Sequence, residues 1–274
     1  MPGTNGVGRT VVFIHGNFVT RHSWDRWLNR YEGRGHRCVA IAYPGRDRSV
    51  AELRAGPTDL RATLAGLTIG SVMDHIADTI GSLDERPIVV GHSFGGLLTQ
   101  LVVQRDLAAA AVAIDSVPPQ GVVPLSWPFF RSTWPAINPF VPASRPYMMS
   151  LRHFRYTFAN DLPLDAARAA WEAEVVPESR RLARGGLSRG ARVDFGRVRA
   201  PLLLIGGEKD HIMPSSLNRQ NFRRYRKSPS LTEFKEFPGR THYSVIGGPG
   251  WEEVADYALA WAIRAADGEA ARVA

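Results

Sequence analysis

The chain has 274 residues, of which 44% are hydrophobic and 22% charged, proportions typical of a globular protein and unlike those of disordered or fibrous chains. Its formal net charge of +8 comes mainly from arginine. No nucleic-acid motif accompanies the basic runs at 180–181 and 223–227, so we interpret them as solvated helix faces and expect no nucleic-acid partner.

Three further absences bear on location and partners. No apolar run approaches the roughly 20 residues that cross a bilayer, so we expect no membrane partner. The polar segment 1–9 lacks the apolar centre of a secretory signal, which favours a cytoplasmic location. Cys38 is the single cysteine, which excludes an intrachain disulfide and a cysteine-based metal cage. The richness in arginine and alanine suggests a GC-rich bacterial genome.

Short β-branched or apolar runs alternate with helical patterns along most of the chain. A helix containing Trp24 and Trp27 follows the first strand. The other helices are predicted at 71–83, 95–104, 215–227 and 251–265, and the strands at 10–14, 39–42, 87–90, 110–114, 202–205 and 231–237. Such alternation indicates βαβ units, so we predict an α/β fold with a predominantly parallel sheet of about six strands and helices on both faces.

The alternation stops between residues 116 and 200, a gap too long for a simple connection in a compact domain. Its first half is rich in proline and aromatic residues, and 164–187 has a helical pattern. We therefore predict a helical cap, inserted before the penultimate strand. The expected division is a first core part at 1–117, the cap or lid at 118–198, a second core part at 199–266 and a loose tail at 267–274.

Ser93 is the candidate nucleophile. It lies in Gly91-His92-Ser93-Phe94-Gly95, which matches the G-x-S-x-G pattern of a serine on a tight strand-to-helix turn. The pattern alone is weak, but here it follows the apolar run 87–90 and opens a helical stretch. Flanking glycines permit a sharp turn that leaves the serine oxygen exposed to a substrate.

A serine hydroxyl needs a base that removes its proton, and His242 is the strongest of eight histidines. It follows the last predicted strand and therefore lies at the same sheet edge as Ser93. The orienting acid should follow an earlier strand, which favours Asp210 at the end of the run 202–210. Asp115, at the end of the preceding strand, is a competitor for that role.

An acyl-transfer site also needs two donors aimed at the developing oxyanion. We predict the backbone N–H of Phe94, directly after the nucleophile, and that of Asn17, in the loop after the first strand. His15 in that loop is interpreted as a structural hydrogen-bonding residue.

These motifs together resemble those of the α/β-hydrolase superfamily, in its capped, serine esterase-like branch. The resemblance covers residues 9–265 and is carried by HGN at 15–17, GHSFGG at 91–96, GEKD at 207–210 and GRTH at 239–242. About eight residues precede the first strand, leaving no room for the amino-terminal hairpin of many members, so we expect an all-parallel sheet. A serine at position 93 disfavours the relatives that use an aspartate there.

The resemblance implies hydrolysis of a carboxylic ester, lactone or thioester through an acyl-serine intermediate, on a small-molecule substrate. Four aromatic residues of the predicted cap suggest that the substrate carries a bulky apolar or aromatic acyl or alcohol group: Trp127, Phe129, Phe130 and Trp134. A lyase, C–C hydrolase or natural-product tailoring enzyme with the same triad, and a non-catalytic binding protein, remain open. We expect no cofactor and no metal, since G-x-G-x-x-G, P-loop and HExxH patterns are missing from the sequence. The sequence leaves the oligomeric state open.

Overall fold

The computed structural model describes residues 8–123 and 126–273, and a six-stranded sheet forms its centre. The strands are β1 (Gly8–Ile14), β2 (His36–Ile41), β3 (Ile88–His92), β4 (Ala110–Ile114), β5 (Leu202–Gly207) and β6 (Thr232–Phe237). They lie in the order β2-β1-β3-β4-β5-β6 and every adjacent pair is parallel, which confirms the predicted sheet. Residues 1–7, most of the segment for which we expected no secretory signal, lie outside the described residues.

Alternate residues of the central strands face two separate cores. Val12 and Ile14 of β1 belong to one core, and Val11 and Phe13 to the other. Each side chain is buried, as expected for strands covered on both faces. The continuous apolar runs therefore follow from burial on both sides of the sheet.

Eleven α-helices accompany the sheet in the described part of the chain. They are α1 (Asp25–Glu32), α2 (Val50–Ala55), α3 (Thr58–Gly66), α4 (Ile69–Gly81), α5 (Phe94–Gln104), α6 (Trp127–Ile137), α7 (Leu151–Thr157), α8 (Leu164–Glu174), α9 (Arg180–Gly185), α10 (Ser215–Arg224) and α11 (Trp251–Val273). Helices α1 and α11 pack into one core, and α4, α5 and α10 into the other, which confirms helices on both faces. No helix of the described residues combines the length and apolarity required to span a bilayer.

Helices α6 to α9 lie between β4 and β5, so the helical insertion precedes the penultimate strand as predicted. We call residues 118–198 the helical insertion; its boundaries as a separate domain stay a prediction. The stretch expected to be helical at 164–187 is two helices, because the segment containing Pro177 separates α8 from α9.

Helix α11 extends beyond its predicted end and through the expected tail to Val273, and the loose attachment of that tail stays a prediction. Alanine and glutamate favour helix and outweigh the single Gly268. Helices α2 and α3 were not predicted. Helix α2 has only six residues, and its start is fixed by reciprocal hydrogen bonds between Ser49 and Glu52.

The strand order places a crevice at the ends of β1 and β3. The chain passes from β1 to β2 on one side and later enters β3 on the other side of β1, so the connections leave in opposite directions. In open α/β sheets, ligands bind at such a reversal, beyond the carboxyl ends of the strands. The pairing of Ile14 with Gly91 brings the loops after β1 and β3 side by side.

Close packing at this crevice makes Gly95 sensitive to substitution. A Cβ atom there would lie 2.1 Å from the Ile14 carbonyl oxygen and 2.6 Å from that of His15. We expect Gly95→Ala to lower the free energy of unfolding by about 3 kcal/mol, because the backbone of β1 must shift. Gly81→Ala is the control, since a Cβ there has no neighbour within 4 Å and should change stability by less than about 1 kcal/mol. Urea denaturation checks both, and an equal effect would contradict the close-packing argument.

Candidate active site

Ser93 occupies a strained turn between β3 and α5. Its backbone has φ 58° and ψ −118°, and the residue is 4% exposed. A positive φ is uncommon for a residue with a side chain and marks a site where the surrounding structure enforces the conformation. The enforcement is visible at Gly91, where a Cβ would lie 2.2 Å from both the Gly95 carbonyl oxygen and Thr99 Oγ1.

The loop after β1 lies directly against this turn. A Cβ built on Gly16 would be 2.8 Å from Ser93 Cβ and 3.4 Å from Ser93 Oγ. Asn17 and Phe94, the two predicted oxyanion donors, line the same pocket as Ser93. The next amide along the chain, that of Phe18, instead donates to Glu178 Oε2 at 3.1 Å. The Phe18 amide is thus already engaged, and the oxyanion roles of the Asn17 and Phe94 amides stay predictions.

A buried ion pair holds this loop in place. Arg46 Nη1 and Glu178 Oε1 are 2.9 Å apart, and both side chains are 1% exposed. Glu178 also accepts the N–H of Phe18, while Arg46 donates to the carbonyl of Val19 at 3.0 Å. Sequence reasoning missed both residues, because charged side chains in loops show no pattern that distinguishes burial from exposure.

His15 has the structural role that we expected. Its ring is fully buried 3.9 Å from the Tyr43 ring, and its Nδ1 hydrogen-bonds the Gly16 carbonyl at 2.8 Å. Burial, with a smaller effect of Arg46, lowers the pKa of His15 to about 3. The ring is therefore neutral at physiological pH, and its hydrogen bond to Gly16 supports the loop after β1.

Asp210 and His242 form a buried pair at the ends of β5 and β6. The Nδ1–H of His242 donates to Asp210 Oδ2 at 2.5 Å. Asp210 Oδ1 accepts the backbone N–H groups of Ile212 and Met213, at 2.7 and 2.8 Å. These amides fix the carboxylate, which in turn fixes the imidazole tautomer with Nε2 unprotonated.

Nε2 of His242 is the atom available to accept a proton. It is buried and has no hydrogen-bond partner among residues 8–123 and 126–273, so its hydrogen bond to Ser93 is not formed in this conformation. Such contacts are often long before a substrate is bound. The Phe158 ring packs 4.6 Å from the His242 ring and shields it from water.

Asp115 lies beside the same histidine. Its Oδ2 is 3.9 Å from His242 Nδ1, and its Oδ1 accepts the Gly207 N–H at 2.6 Å. Burial, reinforced by the nearby Asp210, raises the pKa of Asp115 well above its ordinary value. Burial thus disfavours the charged form of Asp115, and the shorter contact of Asp210 with His242 favours Asp210 as the acid that orients the imidazole.

One cluster in the described part of the chain could present metal ligands. His92, Asp115 and His242 are buried, and one ligand atom from each lies within 4.8 Å of the others. Burial lowers the pKa of His92, and the neighbouring His242 lowers it further, so the ring is neutral. A metal there would compete with the contact between His242 and Asp210, and the expectation of no metal stays a prediction.

The pocket in front of Ser93 is largely apolar. Helices α6 and α9 cover it with residues of the helical insertion. The lining side chains include Phe18, Val117, Phe129, Ala136, Ile137, Phe158, Ala183, Leu187, Ile212 and Met213. Ser132 and Thr133 supply hydroxyl groups at the α6 side.

The family assignment agrees with this fold and site. A model of the Alpha/beta hydrolase family matches residues 11–257. The chain therefore belongs to the alpha/beta hydrolase family, which confirms both the resemblance and the predicted enzyme class. No curated protein sequence gives a significant match to the chain.

Solved structures with the same fold cover nearly the whole chain. A monoacylglycerol lipase from Paleococcus ferrophilus is 21% identical, with a TM-score of 0.65 and 93% of each chain covered. Polyneuridine aldehyde esterase is 16% identical, with a TM-score of 0.66, and a pyrethroid hydrolase from Sphingobium faniae JZ-2 is 20% identical, with a TM-score of 0.64. For each of these two, 92% of this chain and 98% of the other are covered. Because the identities are this low, these similarities establish a shared fold only.

The two carboxylates near His242 differ in their expected contributions. We expect Asp210→Asn to lower kcat for ester hydrolysis by about 10⁴-fold, because an amide favours the wrong imidazole tautomer. Asp115→Asn should lower it by less than about tenfold, because Asp115 is too far from His242 Nδ1 for a hydrogen bond and burial disfavours its charged form. Steady-state kinetics of the two variants measure which substitution lowers kcat more. A larger loss for Asp115→Asn would make Asp115 the acid that orients His242.

Glu174, which contacts Tyr243, should make stability depend on pH. It accepts a hydrogen bond from the Tyr243 hydroxyl at 3.0 Å, and burial raises the pKa of its carboxyl from 4.5 to about 7. The folded state thus holds the Glu174 proton more tightly than the unfolded state does. The resulting contribution to the free energy of unfolding is fully present below pH about 4.5 and is lost as the pH rises through about 7.

We therefore expect Glu174→Gln to gain stability relative to the wild type as the pH rises from about 5 to about 8. Urea denaturation at the two pH values measures the difference. The control is Glu172→Gln, an exposed position on the same helix, which should shift little. A parallel pH dependence of Glu174→Gln and the wild type would contradict the raised pKa.

Proposed function

We propose that the protein hydrolyses a carboxylic ester, lactone or thioester through an acyl intermediate on Ser93. The observation that carries the proposal is the Asp210–His242 pair, buried and hydrogen-bonded at 2.5 Å beside a serine held at a positive φ. An oriented base next to a strained serine is the combination needed to activate a hydroxyl nucleophile. Family membership adds independent support.

The proposed reaction follows from the roles of these groups. His242 Nε2 removes the Ser93 hydroxyl proton while Oγ attacks the substrate carbonyl. The N–H groups of Asn17 and Phe94 stabilise the tetrahedral oxyanion. The imidazolium then protonates the leaving alcohol or thiol, and a water activated by His242 releases the acid from Ser93. Asp210 stabilises the imidazolium throughout.

The substrate group that enters the pocket should be apolar. Polar atoms facing the pocket are few and lie mainly at Ser93, Asn17, Ser132 and Thr133, while the remaining wall is aliphatic and aromatic. Burial of apolar surface contributes about 25 cal/mol per Å², so each added CH₂ of a substrate gains about 0.8 kcal/mol until the wall is reached. We propose a small-molecule substrate with an apolar or aromatic acyl or alcohol group.

Covalent labelling tests the nucleophile without knowledge of the natural substrate. We expect a fluorophosphonate to add once to the wild type and to Ser132→Ala, and to leave Ser93→Ala unmodified, as read by intact mass. Ser132 is the matched control because it lines the same pocket. An adduct on Ser93→Ala would contradict the assignment of Ser93 as the nucleophile. An unreactive wild type would favour the binding-protein alternative.

The inner face of α6 should set the size of the accepted group. Ala136 is buried and lines the pocket, so Ala136→Leu adds three carbon atoms to its wall. We expect kcat/KM for an octanoate ester to fall by about tenfold or more, while that for an acetate ester changes by less than about threefold. Kinetics with a series of p-nitrophenyl esters measures this change. A uniform loss along the series would contradict a role in substrate size selection.

A further inference from the structure

Helix α6 presents an unpartnered aromatic face to solvent. Trp127, Phe130 and Trp134 are 73%, 47% and 49% exposed. Phe130 and Trp134 follow Trp127 by three and seven residues, which puts all three on one side of a helix with 3.6 residues per turn. We call these three residues the outer aromatic face. Exposed large side chains are common singly, but a contiguous aromatic stripe marks an interaction surface.

The opposite side of α6 is also occupied. Phe129, Ser132, Thr133 and Ala136 are buried and line the pocket of Ser93. The helix therefore cannot bury its outer aromatic face by rotating, because rotation would expose Phe129 and open the pocket. Both faces of α6 are apolar, whereas an ordinary surface helix has one polar side.

The chain segment that carries this face has charges of one sign. Residues 116–160 contain no aspartate or glutamate, but they contain four arginines, Arg131, Arg145, Arg152 and Arg155, all exposed. Arg131 and Arg152 border one shallow depression together with Tyr156, and the Arg131 guanidinium lies 4.0 Å from the Tyr156 ring centre. Arg131 is on α6 itself, between Phe130 and Trp134.

Aromatic side chains combined with arginines suit the boundary between lipid headgroups and acyl chains. Tryptophan has an apolar body and a polar N–H, so it partitions to that boundary, while arginine extends its charge to lipid phosphates. Anionic lipids attract such residues by about 1 kcal/mol for each positive charge close to the surface.

We propose that the outer aromatic face, with Arg131 and Arg152, docks the protein on an anionic lipid surface. A second copy of the chain fits less well, because a two-fold contact would oppose the same arginines on both subunits. The proposal revises the sequence-based expectation of no membrane partner, which considered spanning segments alone. It does not depend on the proposed hydrolysis, since none of the docking residues lines the pocket.

Vesicle binding tests the proposal on the full chain. We expect the wild type to cosediment with vesicles of phosphatidylcholine containing phosphatidylglycerol, with a blue shift of tryptophan emission, and to bind pure phosphatidylcholine weakly. The triple variant Trp127→Gln, Phe130→Gln, Trp134→Gln should lose at least about tenfold in affinity, since three aromatic side chains no longer enter the interface. An unchanged far-ultraviolet circular dichroism spectrum and an unchanged urea midpoint would show that the variant is folded.

A charge-matched pair of variants isolates the local effect. Arg131→Gln with Arg152→Gln should weaken binding by about 30-fold, corresponding to about 1 kcal/mol per charge. Arg223→Gln with Arg226→Gln removes the same charge from exposed positions near the end of α10 and should change affinity by less than about threefold.

Three results would overturn the proposal. The first is equal binding to anionic and neutral vesicles, and the second is undiminished binding by the triple variant. The third is an absence of vesicle binding together with a dimer in sedimentation that the triple variant cannot form, which would assign the face to a second copy of the chain.

Discussion

The parallel direction of all six strands is the constraint on which the site depends. Because the strands share one direction, the loops after β1, β3, β4, β5 and β6 leave from the same edge of the sheet. Those loops hold Asn17, Ser93, Asp115, Asp210 and His242, residues that are far apart in the chain. Strand pairing through hydrogen bonds fixes the relative heights of the loops, so the sheet positions the polar groups before any of them contacts a substrate.

Burial affects the charge of these polar groups differently, depending on the hydrogen-bond donors that each one has. Asp210 has two backbone N–H donors and the imidazole, while Asp115 has one backbone donor and a raised pKa. His92 and His15 are kept neutral by burial. Asp115, Asp210, His92 and His242 lie close together in the interior, where desolvation disfavours the charged forms of Asp115 and His92. The single oriented pair that remains is Asp210 with His242.

The sheet and the candidate site were predictable because both depend on local patterns repeated along the chain. Apolar runs ending in loops predicted all six strands, and the residues after those runs supplied Ser93, His242 and both candidate acids. The sequence favoured Asp210 over Asp115, although both follow strands. The structure adds two differences between them, the distance to His242 and the number of backbone donors. Glu178 and Arg46 were missed because burial of a loop charge depends on contacts made across the fold. The sequence-based prediction ended helix α11 too early, at residue 265, because a glycine and a polar end resemble a helix stop signal. The flanking alanines nevertheless sustain the helix to Val273.

The bond from the Phe18 amide to Glu178 spans 160 residues of sequence. During synthesis, the β1 loop emerges long before the carboxylate that holds it, and it follows that the β1 loop reaches its final form only after the helical insertion has left the ribosome. A truncated product ending before Glu178 would have the serine turn but a loosely held β1 loop. Asp210 and His242 follow Glu178 in the chain, so the β1 loop can be fixed before the pair that would activate Ser93 has been synthesised.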